Sequence, residues 1–326
     1  MSKPTIVTMY FNLKTLPDTS KETRPIEFYL KNGRGTLQLP YPMVLFCDSV
    51  TKPLLQSLRD ELVDPNEVPT VYIERNLSDY DFYKQNWSPI TENRKKSNYY
   101  KNPNDRNTVS YLLVCMFKIL AIQTASQRND FGSYHYFWMD FGCSHVAKNN
   151  MYEASIQMLE KPNPKVSVLY INYRSKQSLQ DMEHMVNSGT CGMAGTVFSA
   201  QKDYIIPFCG YMWSTFYEMV ARGVGHTDEQ VFTYCYDRHP ELFTIYFGDY
   251  YSVIRNYHYV CQDWHTIRWC FIQQAINAGR QDLAQAAAKS ILEGYEKGQS
   301  DYPESEVESM RLFAYPVTSN QQPATS

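Results

Sequence analysis

The sequence has no pair of cysteines at C-x-x-C spacing. Its eight cysteines lie at positions 47, 115, 143, 191, 209, 235, 261 and 270, which leaves zinc-ribbon and thioredoxin-type readings without support. The opening stretch, "MSKPTIVTMYFN", lacks the apolar centre of a secretory leader. Positive charge is not in surplus: the formal net charge is −3, which argues against a surface devoted to nucleic acid or anionic membrane. No uninterrupted apolar run reaches bilayer length. The nearest, "VSYLLVCMFKILAIQTA" at 109–125, is short and carries Lys118 and Gln123, so a buried core helix is expected there. There is no G-x-x-x-x-G-K-[ST] phosphate loop. The G-x-G-x-x-G loop and H-R-D segment of protein kinases are missing too, so "DFG" at 140–142 is a cheap three-residue match. Thiols inside apolar runs, such as Cys115, act as small hydrophobes. These features point to a reducing, cytoplasmic setting.

What is present is a chain of 326 residues, 43% hydrophobic, with 27 tyrosines. That is enough for a sizeable core, and the tyrosines suit a wide polar groove for sugars or peptides as well as they suit packing. Short apolar runs at 5–11, 42–48 and 70–74 read as strands, with a helix at 49–62 between the last two. A long apolar helix at 106–126 and strands at 166–172 and 194–199 follow, with helices at 211–222, 228–238, 264–278 and 281–297. Strand, helix, strand implies right-handed crossovers in a parallel sheet. The expected fold is α/β, one domain over residues 1–298 with a mainly parallel central sheet flanked by helices, although the length also admits two domains. Residues 299–326, polar and proline-containing, are expected to be a mobile tail.

Four segments carry candidate chemistry. In "YHYFWMDFG", 134–142, six bulky residues read as a strand buried on both faces, and Asp140 is the first residue clear of it. Ligands of open α/β sheets bind beyond the carboxyl ends of strands, and Gly142 allows a sharp turn or a close ligand approach. The plain alternative is a turn capped by Asp140. In "GVGHTDEQVF", 223–232, Thr227 and Gln230 form a capping-box pattern, with Asp228 and Glu229 in the first helical turn. Helix starts favour acids, yet an ionised carboxylate there can accept from sugar hydroxyls or act as a base. "SGTCGMAGTVFSA", 188–200, holds Gly192 and Gly195, which lets backbone pass under a ligand or simply turn into a strand. "YFGDYYSVIRNYHY", 246–259, offers Arg255 as a fork for phosphate and His258 as a metal ligand.

Taken together, the start "IVTMYFN", the strand "FWMDFG", "TDEQVF" with "YDRHPELF", and "FGDYYSVIRNY" resemble the HtrL/YibB family in the same order across most of residues 5–260. That family is similar to nucleotide-sugar glycosyltransferases of the GT-A, Rossmann-like type. The resemblance implies a transferase of hexosyl or N-acetylhexosaminyl type that uses a nucleotide-diphosphate sugar, with UDP first. The acceptor would be a glycan, protein or lipid-linked hydroxyl. It implies Mn²⁺ or Mg²⁺ bridging the phosphates. Because the usual Asp-x-Asp reads Asp-Phe-Gly here, either Asp140 with water and a distant ligand such as His258 holds the ion, or the ion binds weakly, or Arg255 or lysine side chains neutralise the phosphates without a metal. It would set Tyr10, Phe11 and Asn12 near the base, Gly192 and Gly195 under the sugar, and Asp228 and Glu229 in the catalytic position. Two other readings stand beside it. One is a nucleotide-sugar or glycan-binding module without turnover. The other is a single-strand nucleic-acid groove or a lid at "NRKKSNYYKNPNDR", 93–106, although a nucleic-acid partner is not expected.

Overall fold

Runs of β-branched and aromatic side chains form seven strands among the described residues. These are β1 (Thr5–Tyr10), β2 (Met43–Cys47), β3 (Thr70–Glu74), β4 (His135–Met139), β5 (Val166–Tyr170), β6 (Met193–Gln201) and β7 (Phe243–Phe247). The structure, a computed structural model, describes residues 2–18, 24–96, 108–147, 151–174, 192–224, 227–259, 261, 264, 268–300 and 302–315. The strands build one sheet in the order β3-β2-β1-β4-β6-β5-β7. Four pairings are parallel, and only β6 runs against both of its neighbours, β4 and β5. The mainly parallel α/β sheet is therefore the one expected, with one reversed strand inside it. The reversal matters, because it brings the start of β6 beside the carboxyl end of β4: Asp140 N–H donates to the Thr196 carbonyl at 2.9 Å.

Every residue of β1, β2, β4 and β5 is buried. Successive side chains serve opposite faces, so the continuous apolar runs feed two cores. Val7, Phe46, Trp138 and Phe198 face one, covered by α3 (Asp81–Lys96), α4 (Val109–Arg128), α6 (Lys202–Ala221) and α7 (Asp228–Arg238). The same core extends to α8 (Arg268–Asn277), α9 (Gln281–Glu296) and α10 (Glu304–Ala314). Ile6, Leu45, Phe137 and Val197 face the other, under α1 (Ile26–Leu37), α2 (Lys52–Leu62) and α5 (Met151–Glu160).

Helix α4 is apolar and long enough by length and composition to cross a membrane, but 72% of its most apolar window is buried inside the protein. Hydrogen bonds fix both of its ends. Thr108 accepts from Tyr111 N–H at 3.1 Å and Asp18 from Ser110 N–H at 3.0 Å. At the other end Asn129 takes the left-handed conformation (φ 48°) and its N–H returns to the Ala125 carbonyl. Fully burying a Val, Leu, Ile, Phe or Met stabilises by about 1.5–3 kcal/mol, and α4 buries Val109, Leu112, Leu113, Met116, Phe117, Ile119 and Ile122.

Several expectations change. Residues 304–314 of the expected tail instead form α10, which packs Val307, Met310 and Ala314 into the core. Pro303 precedes its first turn, where Glu304 and Glu306 favour the helix dipole, and Glu306 receives the Arg268 guanidinium. Residues 316–326 lie outside the described residues, as does 97–106 of the basic tyrosine-bearing segment. Helix α6 starts at Lys202 rather than 211 and carries Pro207 inside it. The polar sections hold three helices that the apolar patterning does not announce, α1, α3 and α5, and the aromatic 246–259 segment opens with the end of β7.

Phe117 is fully buried and packs edge-on against Phe11, Phe46 and Tyr80. Phe117→Ala is expected to lower unfolding free energy by about 3–5 kcal/mol in chemical denaturation. A loss below about 1 kcal/mol would show that this cluster stands outside the cooperative core.

Candidate active site

The carboxyl ends of β1 and β4 and the beginning of β6 open onto a crevice made of two adjoining cavities. Helix α4 supplies its wall. Tyr111, Cys115 and Lys118 line both cavities and Val114 the smaller one, a spacing of three, four and seven that sets all four on one helical face. The only charged residue of that stripe is Lys118.

Lys118 is 6% exposed, and its ammonium is enclosed by oxygen. Nζ lies 3.1 Å from Asp140 Oδ1 and 2.9 Å from Asp228 Oδ2, and it donates to the Gly195 carbonyl at 3.1 Å. Trp138 Nε1–H donates to Asp140 Oδ1 at 2.8 Å, which fixes the carboxylate from the core side. Asp228 is 1% exposed, whereas the Asp140 side chain keeps about a third of its surface in the crevice (34%). Burial alone would drive the Lys118 ammonium toward neutrality, but the two facing carboxylates outweigh it, and Lys118 is held protonated. Burial also raises the Asp140 carboxyl above the ordinary range, with Lys118 opposing it. The Cys115 thiol is pushed up by burial and by Asp228, so it remains a thiol rather than a nucleophile.

Asp228 reaches Lys118 because it opens α7 directly beneath Gly195. A Cβ on Gly195 would fall 1.7 Å from Asp228 Oδ2, so only glycine admits the carboxylate. Gly192 makes the same kind of room farther along α7 for Thr233, whose hydroxyl accepts from Gly192 and Met193 N–H at 3.2 and 3.1 Å. Gly192 and Gly195 thus let α7 approach β6, and they do not line either cavity as a floor for a sugar. Thr227 takes the N-cap position as expected, but its side chain makes no cap hydrogen bond. Glu229, half-buried, accepts from Tyr250 O–H at 2.8 Å and Gly195 N–H at 3.4 Å.

The two cavities differ in chemistry. The smaller, about 250 Å³, is apolar and aromatic, and is lined by Tyr10, Phe11 and Asn12 with Phe28, Tyr29 and Phe141. Tyr10 stacks on Phe141 at 5.1 Å and 15°. At its mouth the Arg24 guanidinium lies 4.5 Å from the Phe28 ring centre and 3.1 Å from His145 Nε2. The larger, about 860 Å³, is acidic: Asp140, Asp228, Glu229 and Asp249 face one lysine there, alongside Tyr111, Tyr250 and Tyr251. Asp140 belongs to both.

The structure therefore brings Tyr10, Phe11, Asn12, Asp140, Gly142, Asp228 and Glu229 together in one crevice. It leaves Arg255 and His258 out of the lining of both cavities. Tyr257 is the reason. Its hydroxyl meets Ser199 and the N–H of Asn163, just ahead of β5, at the sheet end opposite the crevice. His258 beside it sits with Nε2 3.2 Å from the Gln157 carbonyl. Sequence reasoning missed Lys118, Arg24 and Tyr111. Lys118 had a signal, a lone charge in an apolar helix, but the signal served only to exclude a membrane span.

With Lys118 in place the donor set does not fit a divalent metal. Among the described residues no three His, Cys, Asp or Glu side chains converge on one point. The two nearest candidates, Asp140 and Asp228, are bridged by an ammonium.

The match to known families is extensive. Residues 2–259 match HtrL/YibB, described as bacterial proteins of unknown function. The chain belongs to the HtrL/YibB family. No curated protein matches it by sequence. Among solved structures it is similar to mouse xyloside xylosyltransferase 1 in its apo form, at 12% identity over 74% of this chain and 84% of that one, with a TM-score of 0.42. It is similar to the mannosyltransferase Ktr4p from S. cerevisiae at 12% identity, 76% and 68% coverage and a TM-score of 0.43. A 4-diphosphocytidyl-2C-methyl-D-erythritol synthase from Anaerococcus prevotii gives 9%, 78%, 90% and 0.40 in the same terms.

Two outcomes check this geometry. Lys118→Met leaves two carboxylates facing each other without a cation, and is expected to remove about 3 kcal/mol of stability at neutral pH. Burial already raises the Asp140 carboxyl and Lys118 opposes that rise, so without the lysine the penalty is full at pH 8 and shrinks as pH falls through the raised Asp140 value. Denaturation curves at pH 8 and pH 5 giving an equal loss would contradict the ion array. Gly195→Ala should destabilise as strongly at any pH, since the added methyl displaces the Asp228 carboxylate; an unchanged melting temperature would mean that the two elements do not meet there.

Proposed function

We propose that this protein transfers a sugar from a nucleotide-diphosphate sugar, a UDP-hexose or UDP-N-acetylhexosamine before others, to a hydroxyl acceptor. One observation carries the reading: the aromatic cavity and the acidic cavity meet at Asp140. A nucleoside diphosphate sugar is a flat ring, a concentrated anion and a polyhydroxylated ring in series. The rings around Tyr10 suit the base by stacking. Arg24 at the same mouth suits a phosphate oxygen, and the carboxylates of the larger cavity suit sugar hydroxyls. The crevice also sits where open α/β sheets take ligands, beyond the carboxyl ends of parallel strands.

Within this reading Asp140, open to the crevice, contacts the donor. Asp228 is locked to Lys118 and orients rather than reacts. Glu229 takes the base role. It accepts the proton of the acceptor hydroxyl as that oxygen bonds the anomeric carbon, while the bond to the diphosphate breaks and the nucleotide leaves with the electron pair. Tyr250 O–H, already donating to Glu229 Oε1, aims the carboxylate. The reading includes a reducing, cytoplasmic setting, supported by six free cysteines that, among the described residues, are buried and packed as apolar side chains.

A second reading keeps the ligand and drops the turnover. It is favoured by Asp228 being neutralised in place by Lys118. Thermal shift and donor hydrolysis with a panel of UDP- and GDP-sugars separate the two. The transferase reading expects stabilisation by at least one donor and slow release of its sugar. Glu229→Gln should cut that release by about 100-fold or more while nucleotide affinity changes little. Stabilisation without any release would leave the binding module, and neither effect across the panel would remove both.

A further inference from the structure

The Lys118 ammonium has three donors and three oxygen partners: one carboxylate from the end of β4, one from the first residue of α7, and the Gly195 carbonyl of β6. Two carboxylates and a backbone carbonyl are what a hard cation asks of a protein. The three oxygens surround Nζ at 2.9–3.1 Å, and the stem reaches them from the buried face of α4. We propose that Lys118 is a built-in substitute for a metal ion. The ammonium fills the cation position between Asp140 and Asp228, so that no divalent ion is chelated by that pair in the native protein.

Three features of the site support this. The ammonium is tethered, so it competes for the two carboxylates at a high effective concentration that no free ion matches. Its displacement would push a charge back among the apolar neighbours of α4, where an unpaired ammonium is strongly disfavoured. A divalent ion added beside it would face the like charge of a buried ammonium. This inference rests on the geometry of the ion array and not on the transferase reading, and its test measures metal and stability rather than transfer.

Mn²⁺ titrations followed by electron paramagnetic resonance, on metal-free protein without nucleotide, decide it. Wild type and Asp140→Asn are expected to give the same titration, whatever weak surface binding both share. Lys118→Ala, which empties the oxygen cage, is expected to gain one Mn²⁺ site at least about tenfold tighter, and Mn²⁺ should raise its melting temperature by several degrees while leaving wild type unmoved. Adding Asp140→Asn to Lys118→Ala should abolish both gains. If Lys118→Ala folds only when Mn²⁺ is present, that too supports the substitution. A saturable Mn²⁺ site in wild type that Asp140→Asn removes would overturn it, as would a folded Lys118→Ala that gains no metal.

Discussion

A lysine side chain carried into the interior by an apolar helix is the constraint around which this crevice is arranged. An ammonium at 6% exposure is untenable unless its proton donors are met, and the molecule meets them from three separate elements. Asp140 comes from the end of a fully buried strand, Asp228 from the first turn of α7, and a carbonyl from β6. Each carboxylate in turn is tenable only because the lysine is there. The three groups therefore stand or fall together, and they tie the site's floor to its wall.

That mutual dependence explains features that look unrelated. Strand β6 runs against its neighbours, and the reversal sets Gly195 and Thr196 at the carboxyl end of β4 rather than at the far edge of the sheet. Gly195 has no side chain because the Asp228 carboxylate occupies the space a methyl would need. Trp138, one of the largest fully buried side chains, turns its single donor toward Asp140 rather than leaving it unmet among apolar neighbours. The aromatic cavity around Tyr10 and Phe141 and the acidic one around Glu229 then lie to either side of the array, which gives one crevice two chemistries.

Much of this could be read from the chain, for reasons that differ by residue. Asp140 was legible because a run buried on both faces has to end somewhere, and the first carboxylate after it emerges at the strand's carboxyl end. The start of α7 was legible from Thr227 and the acids behind it. The two glycines were visible but their purpose was not, since Gly195 answers to a carboxylate 33 positions away along the chain. Strand direction was equally hidden, because alternation along β6 reads the same in a parallel and an antiparallel pairing. His258 and Arg255 sat in a suggestive aromatic segment whose start, Asp249 to Tyr251, does line the larger cavity, yet Tyr257 pins its far end to the opposite end of the sheet through Ser199 and Asn163. Helix α10 was masked by composition: its three core residues are spaced three and four apart within an otherwise polar stretch.

The central claim is that ligand binding is organised around Lys118, Asp140 and Asp228, and a crystal structure of the protein soaked with UDP tests it most directly. The account predicts the uracil among the rings near Tyr10, with the diphosphate running past Arg24 toward Asp140 and the lysine still between its two carboxylates. Nucleotide density in the separate cavity between Asp48 and Asn76, with the Asp140 crevice unchanged, would contradict it.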